Sequence, residues 1–313
     1  MSALSFSRYS PEPRRLLEEH GLELFFNDKG RPLNEEEMRQ AVNLYQPEAL
    51  IVGVDPVTAP VMEAAAGLKI IAKHGVGVDN IDVAAARERG IVVSNAPGSN
   101  AQAVADLAFG LLLACARDLV TADRTTRQGR WDRIAGCELW EKVIGIVGTG
   151  QIGLAVARRA KGFAMRILAY DPCPNAEAAA SLGIVYTDLD SLLRESDFVS
   201  LHAPLTEATY HLLDERRLKL MKKEAILINT ARGELLDEDA LYRALKEGWI
   251  KGAGLDVFSA EPPVGSPLLE LSNVVVTPHI GAYTREANWR MGMAAAKSIL
   301  KALQGEKVEF EVS

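Results

Sequence analysis

Three side chains in the last third of the chain suit the chemistry of a carboxylate and a neighbouring carbonyl. Arg232 stands in Asn229-Thr230-Ala231-Arg232-Gly233. A guanidinium is charged at every working pH and can grip a carboxylate through two parallel hydrogen bonds. His279 stands in Thr277-Pro278-His279-Ile280-Gly281, and imidazole is the group best matched to proton transfer near neutrality. Glu261, in Ser259-Ala260-Glu261-Pro262, would stabilise an imidazolium placed beside it, each unit of raised pKa corresponding to about 1.4 kcal/mol. Each residue also has an ordinary reading: most arginines are surface residues, and a lone histidine is more often structural. Spacing alone does not decide. Position favours chemistry, because Arg232 and His279 both follow apolar runs that read as strands, and open α/β sheets bind ligands beyond the carboxyl ends of their strands.

A second constellation supplies a redox partner. Val143–Val147 reads as a buried strand and runs into Gly148-Thr149-Gly150-Gln151-Ile152-Gly153, with a helical pattern over 154–161. Gly148 allows the tight turn, Gly150 lets backbone approach a pyrophosphate, and Gly153 lets helix pack on strand. The helix N-terminus then faces the phosphates. G-x-G-x-x-G alone is a weak pattern, but here the strand before it and the helix after it are both present. A further strand, Arg166–Tyr170, ends in Asp171, placed to accept hydrogen bonds from a ribose. Pro172 to Glu177 carry no base that would welcome a 2′-phosphate, so NAD is expected rather than NADP. With a dinucleotide bound, Arg232, Glu261 and His279 would serve hydride transfer at C2 of a 2-oxo acid.

Strands and helices alternate throughout, as in an α/β protein with parallel sheets. Buried strands are expected near 49–54, 69–72, 91–93, 143–147, 166–170, 198–201, 225–229, 252–256 and 274–277. Helical spacing marks Glu35–Tyr45 and 237–247, and Gly90 and Gly248 suit helix ends. The fingerprint lies near residue 148, after about a hundred residues of α/β material, and the helical tail 285–304 is too small to stand alone. The expected arrangement is therefore discontinuous: 1–98 plus 283–313 as the substrate-binding domain, and 99–282 as the NAD-binding domain.

The 313 residues are 48% hydrophobic and 25% charged with a net charge of −7. This is ordinary for a globular protein of two domains. Without a basic block, neither nucleic acid nor an anionic membrane is an expected partner. Cys115, Cys137 and Cys173 form no metal-ligand spacing, so no metal is expected and the thiols read as reduced, in a cytoplasmic protein. The first residues lack an apolar core of the signal-peptide kind. Ala101–Ala116, AQAVADLAFGLLLACA, is too short to cross a membrane and reads as a buried helix that could also pack on a partner subunit.

Taken together, these motifs resemble the D-isomer-specific 2-hydroxyacid dehydrogenases, in particular their phosphoglycerate dehydrogenase-like branch. The matching stretches are HGVGVDNID (74–82), NAPGSNAQAVAD (95–106), GIVGTGQIG (145–153), LHAPLTEAT (201–209), INTARGELLDEDAL (228–241), GAGLDVFSAEP (252–262) and TPHIGAYT (277–284). The resemblance implies two Rossmann-like doubly wound parallel-sheet domains, one flavodoxin-like and one NAD-binding, with the active site in the cleft between them. It implies that Arg232 binds the substrate carboxyl and carbonyl, that His279 is the general acid/base, and that Glu261 is its partner. It places substrate at His74 and at the amides of Val76 and Gly77. Around the NAD it places Gly148, Gly150, Gln151, Ile152, Gly153, Asp171, Pro172, Ala203, Pro204, Thr209, Thr230, Ala231, Asp256 and Gly281. It also implies a homodimer formed through the helix at Ala101. Formate dehydrogenases, which are similar, carry glutamine where this chain has Glu261.

Substrate identity is less determined. Phosphoglycerate dehydrogenases carry an arginine in the loop corresponding to Gly53-Val54-Asp55-Pro56-Val57-Thr58, and this chain has Asp55 there. Lys73 and His74 could supply positive charge, or could be a solvated lysine and a packed histidine. The chain ends at Ser313, so no C-terminal regulatory domain is expected. Four readings stand: a short D-3-phosphoglycerate dehydrogenase, slightly favoured; a glyoxylate or hydroxypyruvate reductase or other D-2-hydroxyacid dehydrogenase; an NAD-sensing corepressor-like protein; and a dinucleotide enzyme of another chemistry.

Overall fold

The computed structural model describes residues 1–312 and divides into two compact units, Met1–Asn100 with the segment from Ala282, and Ala101–Gly281. The first unit holds α1 (Glu12–Glu19), α2 (Glu35–Tyr45), β1 (Ala49–Val52), α3 (Ala59–Glu63), β2 (Ile70–Lys73), α4 (Val83–Glu88) and β3 (Val92–Ser94), and ends with a long C-terminal helix, Arg285–Leu303. The three strands are parallel in the order β1-β2-β3, with Ala49 opposite Ile70 and Ile70 opposite Val92. The amides of Ser2 and Ala3 both donate to the Ile51 carbonyl, so the N-terminal segment lies along β1.

Side chains alternate across a strand with period two, and each face of this sheet has its own helices. Leu50, Val52, Ile71 and Val93 pack with Met38, Val42, Val61, Met62, Ala85 and Ala86 of α2, α3 and α4. Ile51, Ile70 and Ala72 pack with Leu17 of α1 and with Ala295, Ala296 and Ile299 of the C-terminal helix. Asn34 caps α2 reciprocally with Glu37, and Gly90, at φ +67°, follows α4.

The second unit opens with α5 (Ala101–Ala116) and α6 (Leu119–Arg127). It continues through β4 (Val143–Val147), α7 (Gln151–Gly162), β5 (Arg166–Tyr170), α8 (Ala176–Leu182), β6 (Ile184–Tyr186), α9 (Leu189–Glu195), β7 (Phe198–Leu201), α10 (Glu215–Leu218), β8 (Ile226–Asn229), α11 (Glu238–Lys246), β9 (Gly252–Leu255) and β10 (Val274–Val276). Among the described residues these strands form one seven-stranded sheet, all parallel, in the order β10-β9-β8-β7-β4-β5-β6. The chain winds outward from β4 in one direction to β6, returns to β7 on the other side of β4, and winds to β10. The carboxyl ends of β4 and β7 are therefore the switch point at which such sheets bind ligands. The strands β7 and β8 are fully buried, which explains why their sequences are apolar apart from Ser200 and Asn229. Gly145 in β4 is required by packing, since a Cβ there would lie 2.4 Å from Leu192 of α9.

The apolar side of α5 is spent inside its own unit. Ala105, Ala108, Phe109, Leu111, Leu112 and Ala116 join the core under β4, β5 and β8, and Phe109 stacks on Phe163 at 5.5 Å between ring centroids. No helix among the described residues is long and apolar enough to cross a membrane. Nor, among those residues, does any group of three His, Cys, Asp or Glu side chains sit where it could hold a metal ion. The three cysteines are unbridged, and burial pushes the Cys115 thiol up to about 12.

Candidate active site

At the end of β4, Gly148 turns at φ +91° and its amide donates to the Tyr170 carbonyl at 2.8 Å. A Cβ on Gly148 would lie 2.7 Å from the Ala203 nitrogen, and one on Gly153 would lie 2.0 Å from the Gly148 oxygen. Both glycines are therefore demanded by close backbone approach. Gly150 is different: a Cβ there would meet nothing within 4 Å. It stands before the first turn of α7, where amides without intrahelical partners and the helix dipole attract anions, so the open space fits a pyrophosphate. Gln151 is exposed and Ile152 partly buried in that turn.

Asp171 follows β5. Its Oδ2 accepts the Thr149 amide at 2.6 Å and the Thr149 hydroxyl at 2.9 Å, and its Oδ1 accepts the Cys173 amide at 2.8 Å. The acid is thus tied to the glycine turn, with Pro172 between its own anchors. The Tyr186 hydroxyl, on β6, lies 2.9 Å from the Thr149 hydroxyl and accepts the Asn175 amide. Sequence reasoning missed Thr149 and Tyr186. Thr149 occupies a variable position of the fingerprint, and β6 is too short to show as an apolar run.

Ala203 and Pro204 follow β7, and the Thr209 hydroxyl donates to the Pro204 carbonyl at 2.7 Å, closing that loop. Thr230 and Ala231 follow β8, the Ala231 amide donating to Asn229 Oδ1. Two buried polar atoms here, Thr230 Oγ1 and His202 Nδ1, lack protein partners among the described residues, and burial pushes His202 down to about 3. Unpaired buried polar atoms are uncommon and costly, so these also fit a bound group. Asp256 follows β9. It accepts the Thr277 hydroxyl at 2.6 Å and the amides of Ile280 and Gly281 at 2.8 Å each. Burial raises its carboxyl above the usual range against those hydrogen bonds and the charge of His279. Asp256 thereby fixes the backbone on either side of the His279 loop.

His279 itself adopts φ +51°, a left-handed conformation uncommon for a residue with a Cβ, and its amide donates to the Asp256 carbonyl at 2.9 Å. Its Nδ1 lies 2.7 Å from Glu261 Oε2, while Glu261 Oε1 accepts the Phe258 amide at 3.2 Å. Burial raises the Glu261 carboxyl, but the hydrogen bond and charge of His279, the Phe258 amide and the charge of Arg232 outweigh it and leave it below the usual range. With Nδ1 turned to the carboxylate, Nε2 is the nitrogen left for a substrate. Arg232 follows β8. Its carbonyl accepts Asn229 Nδ2 at 2.7 Å and its Nη1 donates to the Ala231 carbonyl at 2.6 Å. Gly233 beside it lets the backbone run against Phe258, where a Cβ would lie 2.0 Å from the carbonyl carbon. The second unit thus brings Arg232, Glu261 and His279 together.

In the first unit, His74, Val76 and Gly77 form one loop after β2. The Gly75 carbonyl accepts the Ala96 amide and the Val76 carbonyl accepts Asn95 Nδ2 at 2.8 Å. Among the described residues of this unit, the amides of Val76 and Gly77 have no backbone acceptor. Lys73 is not solvated: it is buried, and its Nζ donates to the Gly53 carbonyl and Asn80 Oδ1 at 2.6 Å each. His74 is packed, and burial lowers it to about 4, so it is neutral near pH 7 and supplies no positive charge. Asp55 is buried, accepting the Ser2 hydroxyl at 2.8 Å and the amides of Leu33 and Gly53; it anchors the loop after β1.

A parallel sheet with a glycine-rich turn at its switch point, an acid at the end of the next strand, and an Arg/Glu/His set at later strand ends define a nicotinamide-dependent dehydrogenase. The chain belongs to the D-isomer specific 2-hydroxyacid dehydrogenase family, whose NAD binding domain matches residues 109–281. A glyoxylate reductase of Korarchaeum cryptofilum is 51% identical over 259 residues, covering 80% of this chain and 78% of that protein. A D-3-phosphoglycerate dehydrogenase of Methanocaldococcus jannaschii is 49% identical over 260 residues, covering 82% of this chain and 50% of that protein. Among solved structures, the TT0316 protein from Thermus thermophilus is 42% identical with a TM-score of 0.89, covering 96% of both chains. The protein is accordingly an NAD-binding oxidoreductase acting on 2-hydroxy acids.

Proposed function

We propose that this dehydrogenase interconverts a small unphosphorylated 2-oxo acid and its 2-hydroxy acid, glyoxylate with glycolate or hydroxypyruvate with D-glycerate. The observation that supports the chemistry is the 2.7 Å contact between His279 Nδ1 and Glu261. Bound NADH supplies the hydride that reaches C2. The Arg232 guanidinium binds the substrate carboxylate and polarises the carbonyl, and the amides of Val76 and Gly77 hold the carboxylate. His279 Nε2 gives its proton to the developing alkoxide, and Glu261 stabilises the imidazolium before transfer and orients the ring. In oxidation the same nitrogen accepts the proton.

The unphosphorylated substrate is supported by the loop after β1. A 3-phosphate would want a cation there, and the loop carries Asp55, held inward by three hydrogen bonds. Lys73 is engaged with Gly53 and Asn80, and His74 is neutral near pH 7. The phosphoglycerate reading slightly favoured by sequence therefore becomes the second one. It keeps support from the relative of that activity. Comparing NADH oxidation with glyoxylate, hydroxypyruvate and 3-phosphohydroxypyruvate tests the choice. A homodimer is proposed as well. With α5 packed inward, its support lies in Leu119, Val120, Trp131 and Trp140, large apolar side chains exposed just after that helix; a monomeric mass in solution would refute it. Function in the cytoplasm, with no nucleic acid or membrane partner, stays part of this proposal.

A further inference from the structure

Asp171 ends a chain of hydrogen bonds whose direction is fixed at both ends, because a backbone amide only donates and a carboxylate only accepts. In the sheet of the second unit, Tyr186 of β6 lies opposite Ala169 of β5, just before Asp171. The Tyr186 hydroxyl reaches the turn after β4, where it lies 2.9 Å from the hydroxyl of the buried Thr149. The Thr149 hydroxyl gives its hydrogen to Asp171 Oδ2 at 2.9 Å, so it accepts from Tyr186. The Tyr186 hydroxyl, with its own hydrogen committed, accepts the Asn175 amide at 3.1 Å. The order is therefore Asn175 amide to Tyr186 to Thr149 to Asp171, and each hydroxyl both donates and accepts.

This chain holds the segment after β5 at both of its ends. At the far end, Asn175 is bonded through its amide to Tyr186, and its side chain caps α8 by accepting the Ala178 amide at 2.9 Å. At the near end, a carboxylate offers about four acceptor sites. Among the described residues three of them are taken, two on Oδ2 by the Thr149 amide and hydroxyl and one on Oδ1 by the Cys173 amide. The acceptor site left for a ligand lies on Oδ1. The carboxylate cannot turn away without breaking its bonds to Thr149, and consecutive hydrogen bonds polarise and strengthen one another.

We propose that Tyr186 and Thr149 are positioning residues for cofactor selection, fixing Asp171 so that Oδ1 meets a ribose hydroxyl and the charge stays opposed to a 2′-phosphate. The inference rests on the assignment of Asp171 to the ribose of NAD. Both hydroxyls act through the carboxylate. When either is removed, Asp171 is free to rotate: NADH loses a hydrogen bond, and NADPH escapes part of the repulsion. The two cofactors therefore respond in opposite senses, which a general loosening of the fold does not produce.

The test is fluorescence titration of the purified protein with NADH and with NADPH, without substrate, for the wild type, Asp171→Ala, Tyr186→Phe, Thr149→Val and Thr149→Ser. Tyr186→Phe keeps the ring and removes the hydroxyl. It is expected to lower the ratio of the NADPH to the NADH dissociation constant by about 3- to 10-fold, the size of one hydrogen bond. Thr149→Val should lower the ratio at least as much, and Thr149→Ser, which retains a hydroxyl, should keep the wild-type ratio. If Asp171→Ala lowers the ratio while Tyr186→Phe and Thr149→Val leave it in place, by weakening both cofactors alike or neither, the positioning role alone is overturned. An unchanged ratio in Asp171→Ala overturns the assignment of Asp171 to the ribose and the positioning role with it.

Discussion

His279 Nδ1 and Glu261 Oε2 lie 2.7 Å apart, one on the loop after β10 and the other beyond β9. The pair divides the labour of proton transfer, and two variants separate the shares. His279→Ala removes the acid itself, so kcat should fall by about 10²–10⁴ while NADH binding, followed by fluorescence titration, is retained. Glu261→Gln preserves shape but not charge. Without the charge beside Nδ1 the ring loses the group that orients it and stabilises its charged form, so kcat should fall by about tenfold or more with NADH binding retained. A Glu261→Gln variant with wild-type kcat would detach the carboxylate from the mechanism.

Arg232→Lys keeps the charge and loses the two-pronged geometry. An ammonium cannot bridge carboxylate and carbonyl as a planar guanidinium does. We expect a raised KM and a lowered kcat, with kcat/KM falling by about 100-fold or more. Steady-state kinetics showing an unaltered kcat/KM would mean that the guanidinium does not touch the substrate.

Asp171 is tied to Thr149 and Cys173 at the edge of the glycine turn. A carboxylate there favours ribose hydroxyls and repels a 2′-phosphate. Wild type should prefer NADH to NADPH in kcat/KM. Asp171→Ala should cut that preference by about 10- to 100-fold, as expected for lost hydrogen bonds to a charged group. A wild-type preference for NADPH contradicts the assignment.

Burial holds folded His74 at about 4 against a usual 6.5. An unfolded chain takes up that proton near pH 6.5, and the folded chain does not until about pH 4. Within this window the unfolded state binds more protons, so stability is complete above pH 6.5 and is lost as pH falls toward 4. The contribution is on the order of 3 kcal/mol, and His202, lowered to about 3, acts in the same direction. Urea midpoints measured between pH 7 and pH 4 should fall with acid, and His74→Asn should flatten part of the slope. An identical slope in that variant would show that His74 is not excluded from protonation.

The sheet of the second unit was readable because buried parallel strands are largely apolar runs, as in Val143–Val147 and in Ile226–Asn229 up to its last residue. The edge strand Ile184–Tyr186 escaped notice because it has three residues with Val185 exposed, and the Tyr186 contact to Thr149 was lost with it. The expected first strand ran two residues too far, into 53–54, because apolar character continues past Val52 while Gly53 turns to Asp55 and Lys73. Candidate site residues could be named where they follow a strand. The state of Lys73 and His74 was not, since it depends on Gly53, Asn80 and Ser5, brought in by other segments.

The most direct test of the account is the rate of NADH oxidation by the purified protein with glyoxylate and hydroxypyruvate, set beside 3-phosphohydroxypyruvate under the same conditions. The account predicts turnover of the two unphosphorylated acids, with the D-hydroxy acid as the product of hydroxypyruvate. Turnover of the phosphorylated acid alone, or of none of the three by a protein that binds NADH, would contradict it.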